Sequence, residues 1–127
     1  MAAAVSDYRP AVRAENKIKK EQHDHLNIEL TENPDILYGL GQKKTHQFLV
    51  GFAAETRDVI EYGKAKLAKK NLNLLVANDV AQQGAGFNVS TNIAALIYKD
   101  GHIEQYPKMT KDDLGHIIIE KIVEGIN

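Results

Sequence analysis

The chain predicts an α/β, Rossmann-like fold: a mostly parallel sheet with crossover helices, closed by a C-terminal hairpin and helix. Three observations point there. Two apolar runs, residues 48–54 and 72–77, flank a segment of helical spacing that carries Lys64, Lys66, Lys69 and Lys70, which is the pattern of a β–α–β unit. Both runs stop abruptly at polar residues, Glu55-Thr56 and Asn78-Asp79. Nearer the C-terminus, two alternating segments are joined by Lys99-Asp100-Gly101, and Asp-Gly between such segments signals a hairpin.

Composition narrows the class. A chain of 127 residues is one domain or part of one. With 43% hydrophobic and 26% charged residues, it resembles an ordinary globular domain. A net charge of −1 argues against a nucleic-acid or membrane-surface binder, both of which carry a basic footprint. Cysteine is missing, which excludes disulfides, thiolate metal sites and a cysteine nucleophile and is compatible with a cytoplasmic location. The apolar runs are strand-length, below the roughly 20 residues of a membrane span. The start, MAAAVSDYRP, has neither the basic opening nor the long apolar core of a secretory signal.

The elements follow in order. Residues 1–5 read as a small-residue apolar strand closed by Ser6-Asp7. A buried strand at the start suggests a fold that is incomplete at the N-terminus, because termini usually lie at exposed positions; a short edge strand is the alternative. Pro10 lacks an N–H and should end pairing there. Residues 14–24 are polar and lysine-rich, too charged for a core, and read as a flap. Residues 26–30 alternate apolar and polar, like a half-exposed strand. Asn33-Pro34-Asp35 offers an N-cap residue, a proline suited to the first helical position and an acidic first turn. A helix over 34–45 is expected from it, with Ile36, Leu37 and Leu40 on the apolar face. After the β–α–β unit comes a glycine-containing loop, QQGAGFNVST, over 82–91, then hairpin strands over 93–98 and 102–106. Thr110 predicts the N-cap of a last helix, with Asp112 and Asp113 in its first turn and Leu114, Ile117, Ile118 and Ile122 at helical spacing.

Chemistry-bearing residues collect at strand ends. The expected strands stop at Asp7, at Glu55 and at Asn78-Asp79. Ligands of open α/β sheets sit outside the carboxyl ends of the strands, where such groups could hold a ribose hydroxyl, a base amine or, through water, magnesium. Each could equally cap the turn that follows it. Lys66 and Lys70 are four apart and share a helical face. Neither has an acidic residue three or four positions before it, so their charge is expected to be open to a ligand, whereas Lys64 should pair with Glu61. Lys17, Lys19 and Lys20 form a second cluster on the flap, and the two clusters could clamp a triphosphate; plain solvated surfaces carry such lysines too. His23-Asp24-His25 has no partner at a metal-site spacing, and His46, His102 and His116 are scattered, so no metal site is expected. Asn88-Val89-Ser90 matches a glycosylation sequon, which has meaning only in a secreted protein. Neither a Ser–His–Asp set nor a glycine-rich phosphate loop is present.

Taken together, several short motifs carry a resemblance. The stretch AAAVSDYRP over 2–10, KIKK over 17–20, NPDI over 33–36, GFAAET over 51–56, KLAKKN over 66–71 and ANDV over 77–80 look like phosphopantothenate–cysteine ligase, the phosphopantothenoylcysteine synthetase half of the bacterial bifunctional coenzyme A biosynthesis protein. The resemblance covers nearly the whole chain, with the motifs in order. It implies a ligase that uses CTP to activate the carboxylate of 4′-phosphopantothenate as an acyl-cytidylate and then joins it to L-cysteine, releasing pyrophosphate and CMP. Mapped residue by residue, it implies that Asp7 contacts the nucleotide and that Lys17, opening the flap, closes over the reacting centre as the catalytic residue. Pro34, Asp35, Ile36 and Leu37 would line the nucleotide pocket, Phe52 would pack on the cytidine, and Lys66 and Lys70 would hold the triphosphate. Magnesium (Mg2+) would accompany the CTP, and family members are homodimers. Two departures stand out. The family's preceding segment, with a glycine-rich start and an asparagine serving the acyl-cytidylate step, has no counterpart here, so turnover by this polypeptide alone is not expected. FNVSTN over 87–92 is also less acidic than in many relatives. A non-catalytic nucleotide-binding or dimerisation module, pairing through residues 26–30, is the alternative. An NAD-binding domain is a third reading, weakened by the missing G-x-G-x-x-G.

Overall fold

The computed structural model describes residues 5–19, 25–81 and 90–127. The chain divides into two compact units, Met1–Ile36 and Leu37–Asn127.

In the first unit, Tyr8–Pro10 (β1) and Leu30–Glu32 (β2) form a two-stranded antiparallel ribbon, with Tyr8 opposite Glu32 and Pro10 opposite Leu30. This corrects several expectations. Val5 and Ser6 lie in no strand, residues 1–4 fall outside the described residues, and Asp7 precedes a strand instead of ending one. Pro10 takes part in the ribbon, at its end, where a missing N–H is tolerated. Pairing continues just beyond it, with the Ala11 N–H donating to the Glu29 carbonyl at 2.8 Å. The strand expected over 26–30 begins only at Leu30. Asn33 does not serve as a helix cap. Its amide donates to the Ser6 carbonyl (2.7 Å) and accepts from the Arg9 guanidinium (2.9 Å). With that side chain tying the ribbon's ends together, the helix Ile36–Lys43 (α1) starts after Asp35 instead of at Pro34. Residues 14–19 of the expected flap form neither helix nor strand, and residues 20–24 lie outside the described residues.

The second unit is built on a four-stranded sheet. Its elements are Val50–Glu55 (β3), Val59–Lys69 (α2), Leu74–Asp79 (β4), Thr91–Tyr98 (β5), Ile103–Thr110 (β6) and Lys111–Ile126 (α3), with strand order β3-β4-β5-β6. β3 and β4 are parallel and joined by α2, as the β–α–β pattern requires. The β4–β5 and β5–β6 pairs are antiparallel. The fold is therefore α/β and Rossmann-like, with a mixed sheet in which the parallel register is confined to β3 and β4. An antiparallel neighbour needs no crossover helix, and this lets the hairpin strand β5 pair directly with β4.

Side-chain alternation sorts the two faces of the sheet. On one face Ala53, Leu75, Ala77 and Ile97 pack with Leu67 of α2. On the other, Leu74, Val76, Ala94 and Leu96 pack with Leu114 and Ile118 of α3. Residues 74–77 of β4 are buried on both faces, which is why they read as an unbroken apolar run. Leu37 of α1 packs on the α2-side cluster, but Ile36 and Leu40, expected beside it, are exposed. Gly41 explains how α1 approaches so closely: a Cβ there would collide with the backbone carbonyl of Lys70. Asn71 adopts φ 51° in that turn and donates its amide to the Gly41 carbonyl at 2.9 Å.

Thr110 caps α3 as expected, its hydroxyl accepting from the Asp113 N–H at 3.1 Å, with Asp112 and Asp113 in the first turn. Glu104 ties the hairpin to that helix. It accepts from the Tyr98 hydroxyl (3.1 Å) and from the Tyr106 hydroxyl, and Lys121 of α3 lies 3.4 Å away. The Tyr106 bond, then those from Tyr98 and Lys121, hold the Glu104 carboxyl below its usual range against the opposing effect of burial. Burial, followed by Glu104, pushes the Tyr98 hydroxyl above its own range.

Three substitutions test this packing. Gly39 of α1 has open space around it, so Gly39→Ala should stabilise the protein by about 0.5–1 kcal/mol through helix propensity. Gly41→Ala should instead destabilise it by about 1–3 kcal/mol, with urea unfolding as the measurement for both. Glu104→Gln should lose about 1 kcal/mol at neutral pH, since a depressed carboxyl contributes stability only while ionised. That gap should close as pH falls below about 4, followed by urea unfolding across pH.

Candidate functional site

The parallel register of β3 and β4 aligns Ala54 with Asn78 and Glu55 with Asp79. Two of the three expected strand ends therefore share one sheet edge. Asp7, the third, lies in the first unit. On the edge itself, Asp79 accepts from the Ala81 N–H at 3.1 Å, the turn-capping role open to it from sequence.

Lys66 departs from its expectation. Its ammonium sits 2.6 Å from the Glu55 carboxylate, so its charge already has a partner. Helical spacing could not reveal this, because Glu55 is eleven positions earlier and on β3. Lys64 pairs with Glu61 at 3.5 Å, as expected. Lys70 is the C-cap of α2, one turn beyond Lys66, and its N–H bonds to the Lys66 carbonyl at 3.0 Å.

The opposite face carries a pocket of about 330 Å³ between the sheet and α3, lined by Phe52, Asn78, Asn92, Lys111, Leu114 and Ile118 among others. Phe52 is 64% exposed on β3. Leaving so large an aromatic in water forgoes burial worth roughly 1.5–3 kcal/mol, so its face is suited to a ring laid against it. Asn92 is only 6% exposed, yet its amide oxygen and that of Asn78 are buried with no hydrogen-bond partner among the described residues. Each such acceptor costs about 1–3 kcal/mol. Both residues line the pocket, so turning either amide toward a ligand that donates to it would recover that loss.

Sequence reading missed Asn92. The signal was a lone amide in the otherwise apolar strand NIAALIY, next to a sequon that drew attention to Asn88 instead. Residues 51, 53 and 55 of β3 face α2, and residues 52 and 54 face α3. Phe52 and Lys66 are thus on opposite sides of the sheet, and a ligand touching both must cross the carboxyl edge between them.

The other expected residues have plain positions. Within the first unit, Lys17 is exposed in an irregular segment, Pro34 and Asp35 are exposed ahead of α1, and Ile36 is the first residue of that helix. The side chain of Leu37 is half-buried against the core of the second unit. Among the described residues no group of three or more His, Cys, Asp or Glu could hold a metal ion, and no helix is long and apolar enough to cross a membrane.

Residues 1–126 match the family described as the DNA/pantothenate metabolism flavoprotein C-terminal domain. The chain belongs to that family. A family protein of Bacillus subtilis (strain 168), the coenzyme A biosynthesis bifunctional protein CoaBC, is 48% identical over 120 residues, covering 94% of this chain and 29% of that protein. The CoaBC of Escherichia coli (strain K12) is 45% identical over 124 residues, covering 95% of this chain and 30% of that protein. The chain thus spans under a third of the length of these curated relatives. Among solved structures, the C-terminal domain of a CoaBC superposes with a TM-score of 0.71 at 38% identity, over 94% of this chain and half of that one, 50%. A DNA/pantothenate metabolism flavoprotein from Streptococcus pneumoniae, 22% identical with a TM-score of 0.73, covers 95% of this chain and 60% of its own and shares the fold.

Asn92→Leu tests the family domain's pocket without any ligand. Removing a buried, unpartnered acceptor in favour of an apolar group should leave stability unchanged or raise it by up to about 1 kcal/mol. Thermal or urea unfolding would detect it, and a loss above that size would mean that Asn92 has a structural partner.

Proposed function

We propose that this chain is the CTP-binding part of a phosphopantothenate–cysteine ligase acting in cytoplasmic coenzyme A biosynthesis. The ligase converts 4′-phosphopantothenate and L-cysteine into 4′-phosphopantothenoylcysteine through an acyl-cytidylate. One observation carries the reading: an exposed aromatic, Phe52, stands over a pocket lined by two asparagines whose buried amide oxygens have no partner among the described residues, at the carboxyl edge of a Rossmann-like sheet. Amide oxygens accept from an exocyclic amine, which cytosine has at N4. With the base on Phe52 and donating to Asn78 and Asn92, the nucleotide crosses the edge and its phosphates meet Lys66 and Lys70 on the α2 side. Ammonium groups there favour charge developing on the leaving pyrophosphate.

The family resemblance adds Asp7, Lys17, Pro34, Asp35, Ile36 and Leu37 as nucleotide residues, with Lys17 catalytic. The side chain of Leu37 is half-buried against the α2-side cluster, which leaves part of it open to a ligand. A protein-held magnesium does not fit the α2 side of the edge: Glu55 is engaged by Lys66, and Asp79 holds a turn. Magnesium is therefore assigned to the nucleotide's own phosphates, and no step is routed through it.

Self-association is part of the proposal. A two-stranded ribbon is at best marginally stable alone, and the first unit leaves Tyr8 and Leu30 exposed on the ribbon and Val12, Ile18, Leu26 and Ile28 exposed along an apolar groove. We assign that groove to a second copy of the chain. Val12→Asp with Ile28→Asp should convert a dimer into a monomer in sedimentation analysis; a wild-type mass of one chain at high concentration would remove this element.

Calorimetric titration tests the nucleotide reading. The chain should bind Mg–CTP, and Lys66→Ala/Lys70→Ala should weaken this by about tenfold or more, as expected for lost charge-assisted contacts. Asn92→Leu should weaken it without destabilising the fold. Binding that is unchanged in both variants would refute the site.

A further inference from the structure

The contact between Glu55 and Lys66 bears on how any anion reaches this edge. The two groups are 2.6 Å apart, with the lysine side chain 45% exposed and the glutamate 14%. A carboxylate in contact cancels most of the field of an ammonium at the distance from which a phosphate approaches. The more buried partner also sits in a lower dielectric, so its repulsion of an incoming anion is weakly screened.

The two side chains differ in freedom. Glu55 ends β3 in register with Asp79, and its carbonyl accepts from the Val80 N–H at 2.9 Å, so the root of its side chain is fixed by the sheet. Lys66 has a flexible four-carbon stem rising from an exposed helical position. Its three N–H donors form a charge small enough to turn from one oxygen to another.

We propose that Glu55 is a charge gate on Lys66: nucleotide phosphates bind by replacing the Glu55 carboxylate at the lysine ammonium, and Glu55 recaptures the lysine when pyrophosphate leaves. The gate rests on the nucleotide reading of this edge and adds a residue that the resemblance does not assign. It lowers affinity for substrate and product alike. What it provides is release, because a lysine with no internal partner would hold pyrophosphate longer.

The test is a calorimetric titration of the full chain with Mg–CTP and, separately, with Mg–pyrophosphate, at one low salt concentration. The proteins are the unsubstituted chain, Glu55→Gln, Lys66→Ala and the double variant, with Glu55→Ala as a second form of the same change and thermal melts to verify folding. Freed of its competitor, Lys66 should bind both ligands about 1.4- to fivefold more tightly in Glu55→Gln, the range spanned by a partly exposed ion pair. That gain should vanish when Lys66 is alanine. Equal or weaker binding by folded Glu55→Gln and Glu55→Ala overturns the gate, because it makes Glu55 a support that positions the lysine. If the unsubstituted chain binds neither ligand but folded Glu55→Gln does, the gate and the nucleotide reading both stand; if neither protein binds either ligand, the nucleotide reading fails and the gate with it.

Discussion

The parallel register between β3 and β4 is the constraint on which the candidate site depends. It sets Ala54 beside Asn78 and Glu55 beside Asp79, and a slip of one residue would turn every side chain of a strand to the other face. The register is held by burial on both sides, with α2 packed on one face and α3 on the other. Close packing enforces it further: a Cβ at Gly63 of α2 would strike the side chain of Ile97 in β5. The helix can therefore lie flat on the strands and bring Lys66 to the Glu55 end. From that one alignment come the ion pair on one face, the amide-lined pocket on the other and the edge that separates them.

The site is also where the unit departs from good packing. The half-buried Asn73 is satisfied by comparison: it accepts from the Leu49 N–H at 2.9 Å and from the Lys44 ammonium at 2.6 Å. Asn78 and Asn92 alone leave buried side-chain oxygens unpartnered among the described residues, in the same pocket that exposes Phe52. Local departures from satisfied packing are expected at functional sites. Here they share one chemistry, a flat apolar wall beside acceptors awaiting a donor.

Much of this was legible in the sequence. The hairpin announced itself through Asp100-Gly101, and Gly101 adopts φ 92°. The Thr110 cap and the Glu61–Lys64 pair were readable because both are local, within one helical turn. What was not legible was non-local or competitive. Lys66 looked unpaired because its partner is on another element. Asn33 carried a good helix-start signal, but its side chain was drawn to Ser6 and Arg9 across the ribbon. Pro10 carries the signal of a terminator, although an end position of a two-stranded ribbon accepts it. Asn92 falls between the expected loop over 82–91 and the strand over 93–98, and only its place in β5 makes it a buried residue lining a pocket. Short-range chemistry thus fixed most elements, while the site's working contacts depend on strand register that no local window contains.

The central claim is that one ligand spans the carboxyl edge, its base on the α3 side and its phosphates on the α2 side. Side-chain and backbone amide NMR during a Mg–CTP titration tests this most directly. The account predicts shifts at the Asn78 and Asn92 side-chain amides together with shifts at Glu55 and at the Lys66 ammonium, all saturating at one ligand concentration. Shifts confined to one face of the sheet, or two sets saturating at different concentrations, would contradict it.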